Sequence, residues 1–97
     1  MLASLSFVTT SLDRAQNLLL QCSWLKFNNF CGKYVIVDGS AENQIAKFKT
    51  YQFVDYYHLP GIEPVRGVVF GMQKVDTFYS TYIGDDDIPL LKGYIPI

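Results

Sequence analysis

Strand-like apolar runs alternate with helix-like segments along this chain, and the alternation restricts the possible folds. Runs rich in apolar, β-branched and aromatic residues predict strands; they lie at 3–9, 33–38, 53–58 and 78–83. The segments between them have apolar residues at helical spacing. Such alternation is typical of a parallel sheet with right-handed crossovers. We therefore predict an α/β fold, a three-layer Rossmann-like, mostly parallel sheet of about four strands with helices on both faces, in a single domain over residues 1–97.

Local signals predict where the helices begin and which faces they bury. Thr10-Ser11-Leu12-Asp13 has the pattern of a capping box that opens the first helix, and its apolar face is predicted at Leu12, Ala15, Leu18, Leu19, Cys22 and Leu25. Ser40 is a candidate N-cap for a second, weaker helix. Pro64 suits the first position of a third helix. The buried stripe of that helix is predicted at Val65, Val68, Val69, Met72 and Val75, with Gly67 and Gly71 allowing a close approach to the sheet.

Composition narrows the functional classes. Hydrophobic residues make up 49% and aromatic residues 15% of the chain, as in a folded globular protein. The net charge of −1 gives no basic footprint for nucleic acid or an anionic membrane. No signal peptide or membrane span is evident. Cys22 and Cys31 are too few for a typical zinc site and are expected to be buried, reduced thiols, which fits a cytoplasmic location.

Polar residues follow each predicted strand, and the carboxyl ends of parallel strands share one edge of a sheet. Thr10 follows the first strand, Asp38 the second and His58 the third, while Asp85, Asp86 and Asp87 follow the fourth. Ligands of open α/β sheets bind at this edge. The three adjacent carboxylates are either a solvated acidic turn or a site for Mg²⁺ or Mn²⁺, which bridge carboxylates to substrate phosphates.

Four segments, in order, resemble the amino-terminal half of family-2-like glycosyltransferases with the GT-A fold. These are Phe7-Val8-Thr9-Thr10-Ser11-Leu12-Asp13-Arg14, Val35-Ile36-Val37-Asp38-Gly39-Ser40, Pro64-Val65-Arg66-Gly67-Val68-Val69-Phe70-Gly71 and Tyr82-Ile83-Gly84-Asp85-Asp86-Asp87. The last resembles the strand that ends in the family's DxD motif. The chain departs from the family pattern in having one Asp before Gly39 where two are common, and Gly67 where the family has Asn.

The resemblance implies a site for a nucleotide-sugar donor, most simply a UDP-sugar. Thr10 would line the nucleotide pocket, Asp38 would contact the base, and Arg66 would lie near the base or the phosphates. Asp85 and Asp87 would form the DxD pair that contacts ribose or sugar and holds Mn²⁺ or Mg²⁺. Which of the three carboxylates binds the metal is left open by the sequence, as are the donor sugar, the acceptor and the linkage.

The short segment after the DxD motif bears on catalysis. Family enzymes continue into an acceptor-binding half that carries the catalytic base, whereas residues 88–97 contain Lys92 as their only charged residue. An inverting transfer needs a base for the acceptor hydroxyl. We therefore expect a donor-binding half, truncated after the DxD motif, with no catalytic residue of its own.

Two other protein classes and one non-catalytic role are alternatives to a glycosyltransferase domain. A sugar-nucleotide pyrophosphorylase needs a glycine-rich basic loop after the first strand, and residues 9–14 contain no glycine. A phospho-acceptor receiver places its acidic residues after other strands. A non-catalytic truncated or degenerate α/β domain with a structural or interaction role stays open, with a homo-oligomer formed through an exposed sheet edge or the apolar tail.

Overall fold

A four-stranded, all-parallel sheet organises the computed structural model, which describes residues 5–86. The strands are β1 (Leu5–Ser11), β2 (Lys33–Asp38), β3 (Val54–His58) and β4 (Tyr79–Tyr82), in the spatial order β3-β2-β1-β4. Helix α1 (Ala15–Phe27) follows β1, a 3-10 helix (Ile45–Phe48) follows β2, and α2 (Pro64–Gln73) follows β3. The predicted α/β fold with a parallel sheet is confirmed.

Strand alternation sends side chains to opposite faces of the sheet and creates a core on each side. On one face, Phe7, Tyr34 and Ile36 are fully buried in a cluster with the α1 residues Leu18, Cys22 and Leu25. On the other face, Val8, Val35 and Val37 are fully buried beneath partly buried residues of α2, such as Phe70. Full burial of one such side chain contributes about 1.5–3 kcal/mol, so the buried side chains of the two central strands are major contributors to stability.

Two glycines bring α2 close to the sheet, as the sequence predicts. A Cβ atom added at Gly67 would lie 2.6 Å from Thr10 Cγ2, and one added at Gly71 would lie 2.5 Å from Val8 Cγ1. Both positions are buried. The glycines form the fully buried part of the helix face, and Met72 and Val75 of the predicted stripe pack beside them, partly buried. Val65 and Val69 are 75% and 52% exposed, so their predicted burial is wrong.

The predicted capping box before α1 is also wrong. Thr10 and Ser11 pair with Val37 and Asp38, which extends β1 as far as Ser11. Helix α1 begins only at Ala15, and no side chain caps it. Asp13 has a positive φ of 57° and donates its backbone N–H to Ser40 Oγ at 2.7 Å. Strand pairing with β2 satisfies more backbone groups than a cap would, and Leu12 is left 61% exposed.

The predicted second helix is reduced to one short 3-10 helix. Ser40 does not cap it, because the Ser40 hydroxyl donates to Asp38 Oδ1. Phe48 is the buried residue of this segment, and its ring stacks on Tyr56 at 5.4 Å. Ile45, at the start of the same segment, is 47% exposed, so the segment packs on the sheet through Phe48.

Both cysteines are free; Cys22 is buried, and burial raises the pKa of its thiol to about 12, but Cys31 is exposed, so the expected burial holds for one thiol. No helix within residues 5–86 has the length and apolarity needed to cross a membrane. Asp87 and the apolar tail lie outside the described residues.

Candidate functional site

A cleft of about 600 Å³ opens at the carboxyl ends of β1, β2 and β4. The chain builds outward from β1 through β2 to β3 and then crosses to the other side of β1 to form β4. The gap between β1 and β4 is therefore the point where the strand order reverses, which is where ligands bind in open α/β sheets. Thr10, Ser11 and Arg14 line the cleft from the β1 side, and Tyr82, Asp85 and Asp86 line it from the β4 side.

The acidic turn after β4 meets a positive partner across this cleft. Arg14 Nη1 lies 3.6 Å from Asp85 Oδ1. The Asp85 side chain is 17% exposed, whereas that of Arg14 is 52% exposed. Because one partner is half in water, the pair contributes under about 1 kcal/mol to stability. The pair is notable for its position across the cleft rather than for its strength.

A buried glutamine holds the backbone that precedes Asp85. Gln21 of α1 is 1% exposed, and its Nε2 donates to the Gly84 carbonyl oxygen at 2.7 Å. Its Oε1 accepts a hydrogen bond from the buried Tyr34 hydroxyl. This chain of bonds fixes the start of the acidic turn against the core, which orders the position of the Asp85 carboxylate. Gln21 was not among the predicted site residues, and the signal that could have identified it is a glutamine at helical spacing between Leu18 and Leu25 on the apolar face of α1.

The floor of the cleft lies on the α2 face of the sheet. Thr10 and Val37 are paired neighbours in β1 and β2, and a Cβ at Gly67 would contact both side chains. Gly39, Ile62 and Pro64 continue the lining toward α2. This floor, the apolar wall of the cleft, consists mainly of apolar side chains and backbone atoms, which suit a flat ring better than a charged group. The two carboxylates of the lining, Asp85 and Asp86, lie at the β4 side.

Ser11 adds an unsatisfied polar atom beside the cleft. The residue is 8% exposed, and its Oγ is buried with no hydrogen-bond partner. Its backbone is already used, since the Ser11 carbonyl oxygen accepts from Gly39 N–H at 2.9 Å. A buried hydroxyl without a partner costs about 1–3 kcal/mol of stability. A polar ligand that formed a hydrogen bond with this hydroxyl would remove that cost.

Asp38 is buried in a hydrogen-bonded network rather than open to the cleft. Its Oδ1 accepts from the Ser40 N–H at 2.9 Å and from the Ser40 hydroxyl, and its Oδ2 accepts from the Tyr56 hydroxyl. The Tyr56 oxygen also accepts from Gln44 N–H. Burial and then the bond to Asp38 hold the pKa of Tyr56 above its ordinary value, so Tyr56 stays a donor. His58 Nε2 lies 2.8 Å from the Ser40 carbonyl oxygen and completes the network.

The structure brings together some of the predicted site residues and separates others. Thr10 and Asp85 both line the cleft. Asp38 is 2% exposed and does not line it, and pleating places its side chain on the opposite face from Thr10 and Val37. Arg66 is exposed in the first turn of α2 and is not part of the lining. Asp87 lies outside the described residues.

Possible metal donors at the cleft are the carboxylates of Asp85 and Asp86. Within residues 5–86, no group of three or more His, Cys, Asp and Glu side chains is arranged to hold a metal ion. Mg²⁺ commonly uses one or two carboxylates together with water and substrate phosphates. The donors present therefore fit a cation that takes its remaining oxygens from a bound ligand, rather than one enclosed by the protein alone.

Comparison of the sequence with protein-family models gave no match, and comparison with curated proteins gave no significant match either. The fold and the cleft together define an α/β protein with a candidate ligand site at the point where the strand order of a parallel sheet reverses.

Proposed function

We propose that this chain is a glycosyltransferase-type domain that binds a nucleotide-diphosphate sugar through a divalent cation at the acidic turn. The observation that carries the proposal is the cleft at the reversal point of the sheet, with an apolar wall on the β1 and α2 side and carboxylates on the β4 side. A nucleotide diphosphate has the same division, because its flat base is uncharged and its diphosphate is anionic. The resemblance to family-2-like enzymes supports the same orientation.

In this proposal each part of the cleft binds one part of the donor. Thr10 and the apolar wall beside it line the pocket for the nucleoside. Asp85 holds Mn²⁺ or Mg²⁺, with Asp87 as the second carboxylate of the predicted pair. The cation would neutralise the diphosphate and stabilise it as a leaving group. The Asp38 carboxylate accepts hydrogen bonds from Ser40 and so stabilises the turn that contains Gly39. The contact of Asp38 with the base, and the position of Arg66 near the base or the phosphates, stay predictions.

We propose that the sugar is transferred only if an acceptor-binding half is also present. A catalytic base is needed to take the proton of the acceptor hydroxyl. No residue of the described cleft is proposed for that step, because the acidic turn is assigned to the cation through Asp85 and Asp87. The donor is proposed to be a UDP-sugar, and the acceptor is not specified by the cleft.

Calorimetric titration of UDP into the purified chain tests the proposal. With Mn²⁺ present we expect saturable binding, and with EDTA we expect it to weaken at least tenfold, a change of about 1.4 kcal/mol. The double substitution Asp85→Ala/Asp87→Ala should abolish the effect of Mn²⁺. Asp55→Ala removes a carboxylate at the other end of the sheet and is the matched control. UDP binding that is equal with Mn²⁺ and with EDTA would remove the cation from the proposal.

A second candidate is a non-catalytic interaction domain, which the exposed aromatic surface favours. Phe27 is 80% exposed on α1 and Phe78 is 81% exposed before β4. Tyr79 and Tyr82 are 47% and 45% exposed on β4, an edge strand with no lysine or proline to discourage pairing. A homo-oligomer through this edge belongs to this candidate. A folded chain that binds no UDP but elutes as a dimer would favour it over the first.

A further inference from the structure

The Arg14–Asp85 ion pair joins the two sides of the cleft. Arg14 follows β1 and precedes the first turn of α1, whereas Asp85 follows β4. Asp85 is the less exposed partner, so its carboxylate stays in place while the half-exposed guanidinium is free to change partners. Among residues 5–86, Arg14 is the cationic side chain that forms an ion pair with Asp85. A cation that binds Asp85 must therefore displace Arg14 or share the carboxylate with it.

We propose that Arg14 and the divalent cation compete for Asp85, and that the displaced guanidinium binds the diphosphate of the donor. This inference rests on the proposed function and assigns a second phosphate ligand to the same site. In the free protein Arg14 neutralises Asp85. When the cation takes the carboxylate, Arg14 is left beside a dianionic diphosphate, for which a guanidinium provides paired donors.

The surroundings of Arg14 suit this second position. The first turn of α1 contains no acidic residue, so the carboxylate beside Arg14 on this segment is that of Asp13, which precedes it and lines a second pocket with it. The amino-terminal end of a helix also carries partial positive charge, which favours an anion nearby. Arg14 lines the cleft together with Thr10 and Ser11, on the side opposite the proposed cation. Arg14 and the cation would then contact the diphosphate from both sides.

Competition makes the effects of replacing Arg14 opposite in sign for the two ligands. In Arg14→Gln the competitor for Asp85 is gone, so Mn²⁺ alone should bind about two- to fivefold more tightly, the range of an exposed ion pair. The same variant should bind UDP in saturating Mn²⁺ about tenfold more weakly, because a charge-assisted bond to phosphate is lost. A residue that only stabilised the fold would not change the two affinities in opposite directions.

The experiment measures Mn²⁺ binding by the electron paramagnetic resonance signal of the free ion, and UDP binding by calorimetry, in the full chain. Lys33→Gln is the matched control, because it removes the same charge and a similarly exposed ion pair. Lys33 Nζ lies 3.9 Å from Asp55 Oδ1, at the amino-terminal end of β2 and away from the cleft. This control variant should leave both affinities unchanged. Arg14→Lys keeps the charge but not the paired donors, so it should restore Mn²⁺ affinity to the wild-type value while UDP binding stays weaker.

The outcomes separate this inference from the proposed function. If wild type shows Mn²⁺-dependent UDP binding but Arg14→Gln binds Mn²⁺ no more tightly, competition is overturned and the donor site stands. If Mn²⁺ binds more tightly but UDP affinity is unchanged, the diphosphate role of Arg14 is overturned. If wild type binds neither Mn²⁺ nor UDP, the proposed function fails and this inference fails with it. Circular dichroism of each variant excludes unfolding as the cause.

Discussion

Replacing Gly32 by alanine is expected to destabilise the domain by about 3 kcal/mol, near the upper end of overpacking effects. A Cβ atom at this position would overlap the carbonyl oxygen of Leu5 and would lie 2.8 Å from Phe30 Cζ. The carbonyl belongs to β1, which is paired on both sides, by β2 and by β4, and cannot move without disturbing both ladders. The strand pairing therefore requires glycine at position 32, immediately before β2.

Chemical denaturation measures this effect as a change in midpoint at constant slope. In a domain of this length, about 3 kcal/mol corresponds to a fall in melting temperature of roughly 12–24 °C. Gly39→Ala is the control, because a Cβ there would meet the nearest atom, the Ile62 carbonyl oxygen, at an ordinary 3.5 Å. Equal stability of the two variants would mean that β1 and β2 do not approach as closely as described.

Replacing Asp38 by alanine is expected to cost about 3 kcal/mol. The Tyr56 hydroxyl and the Ser40 N–H and hydroxyl would lose their acceptor, and each buried donor left unpaired costs about 1–3 kcal/mol. The loss would also loosen the turn that carries Gly39 to the cleft. We therefore expect Asp38 to affect the cleft through the fold, as the hydrogen-bond acceptor that closes the turn after β2.

Asp55→Ala is the matched control, since it removes a carboxylate from β3 whose ion pair with Lys33 is half exposed and worth under about 1 kcal/mol. The variants are compared by denaturant unfolding and by UDP titration under conditions where each is folded. A different result would change the assignment of Asp38. If Asp38→Ala were as stable as Asp55→Ala yet bound UDP much more weakly, the contact with the nucleotide base implied by the resemblance would be the better interpretation.

The order of elements could be predicted because buried strands and helix starts have strong local signals. The apolar run of β2 gives the bounds of Lys33–Asp38, and Pro64 marks the beginning of α2. Thr10-Ser11-Leu12-Asp13 was misassigned because a capping pattern is local, whereas pairing of Thr10 and Ser11 with β2 depends on residues far along the chain. The face of α2 was misassigned because glycines contribute no apolar signal, although here they make the close contact.

The site could be predicted only in outline. Parallel topology places Thr10 and Asp85 at one edge of the sheet, and the cleft contains both. The roles of Arg14 and Gln21 depend on contacts across the fold, with Asp85 and Gly84, that no spacing in the sequence shows. The burial of Asp38 follows from the pleat of β2 and from Tyr56 on the neighbouring strand. The pleat position of Asp38 and its contact with Tyr56 can be derived only when the register of β2 and β3 is known.

The most direct test of the central claim is to map bound Mn²⁺ by nuclear magnetic resonance. Mn²⁺ is added in small amounts to the isotope-labelled chain with saturating UDP, and Mg²⁺ provides the diamagnetic reference. The proposal predicts that amide signals of Gly84, Asp86 and Arg14 broaden most, while those of Lys33 and Asp55 at the opposite edge do not. Broadening centred away from the turn after β4, or none that depends on UDP, would contradict a donor site in this cleft.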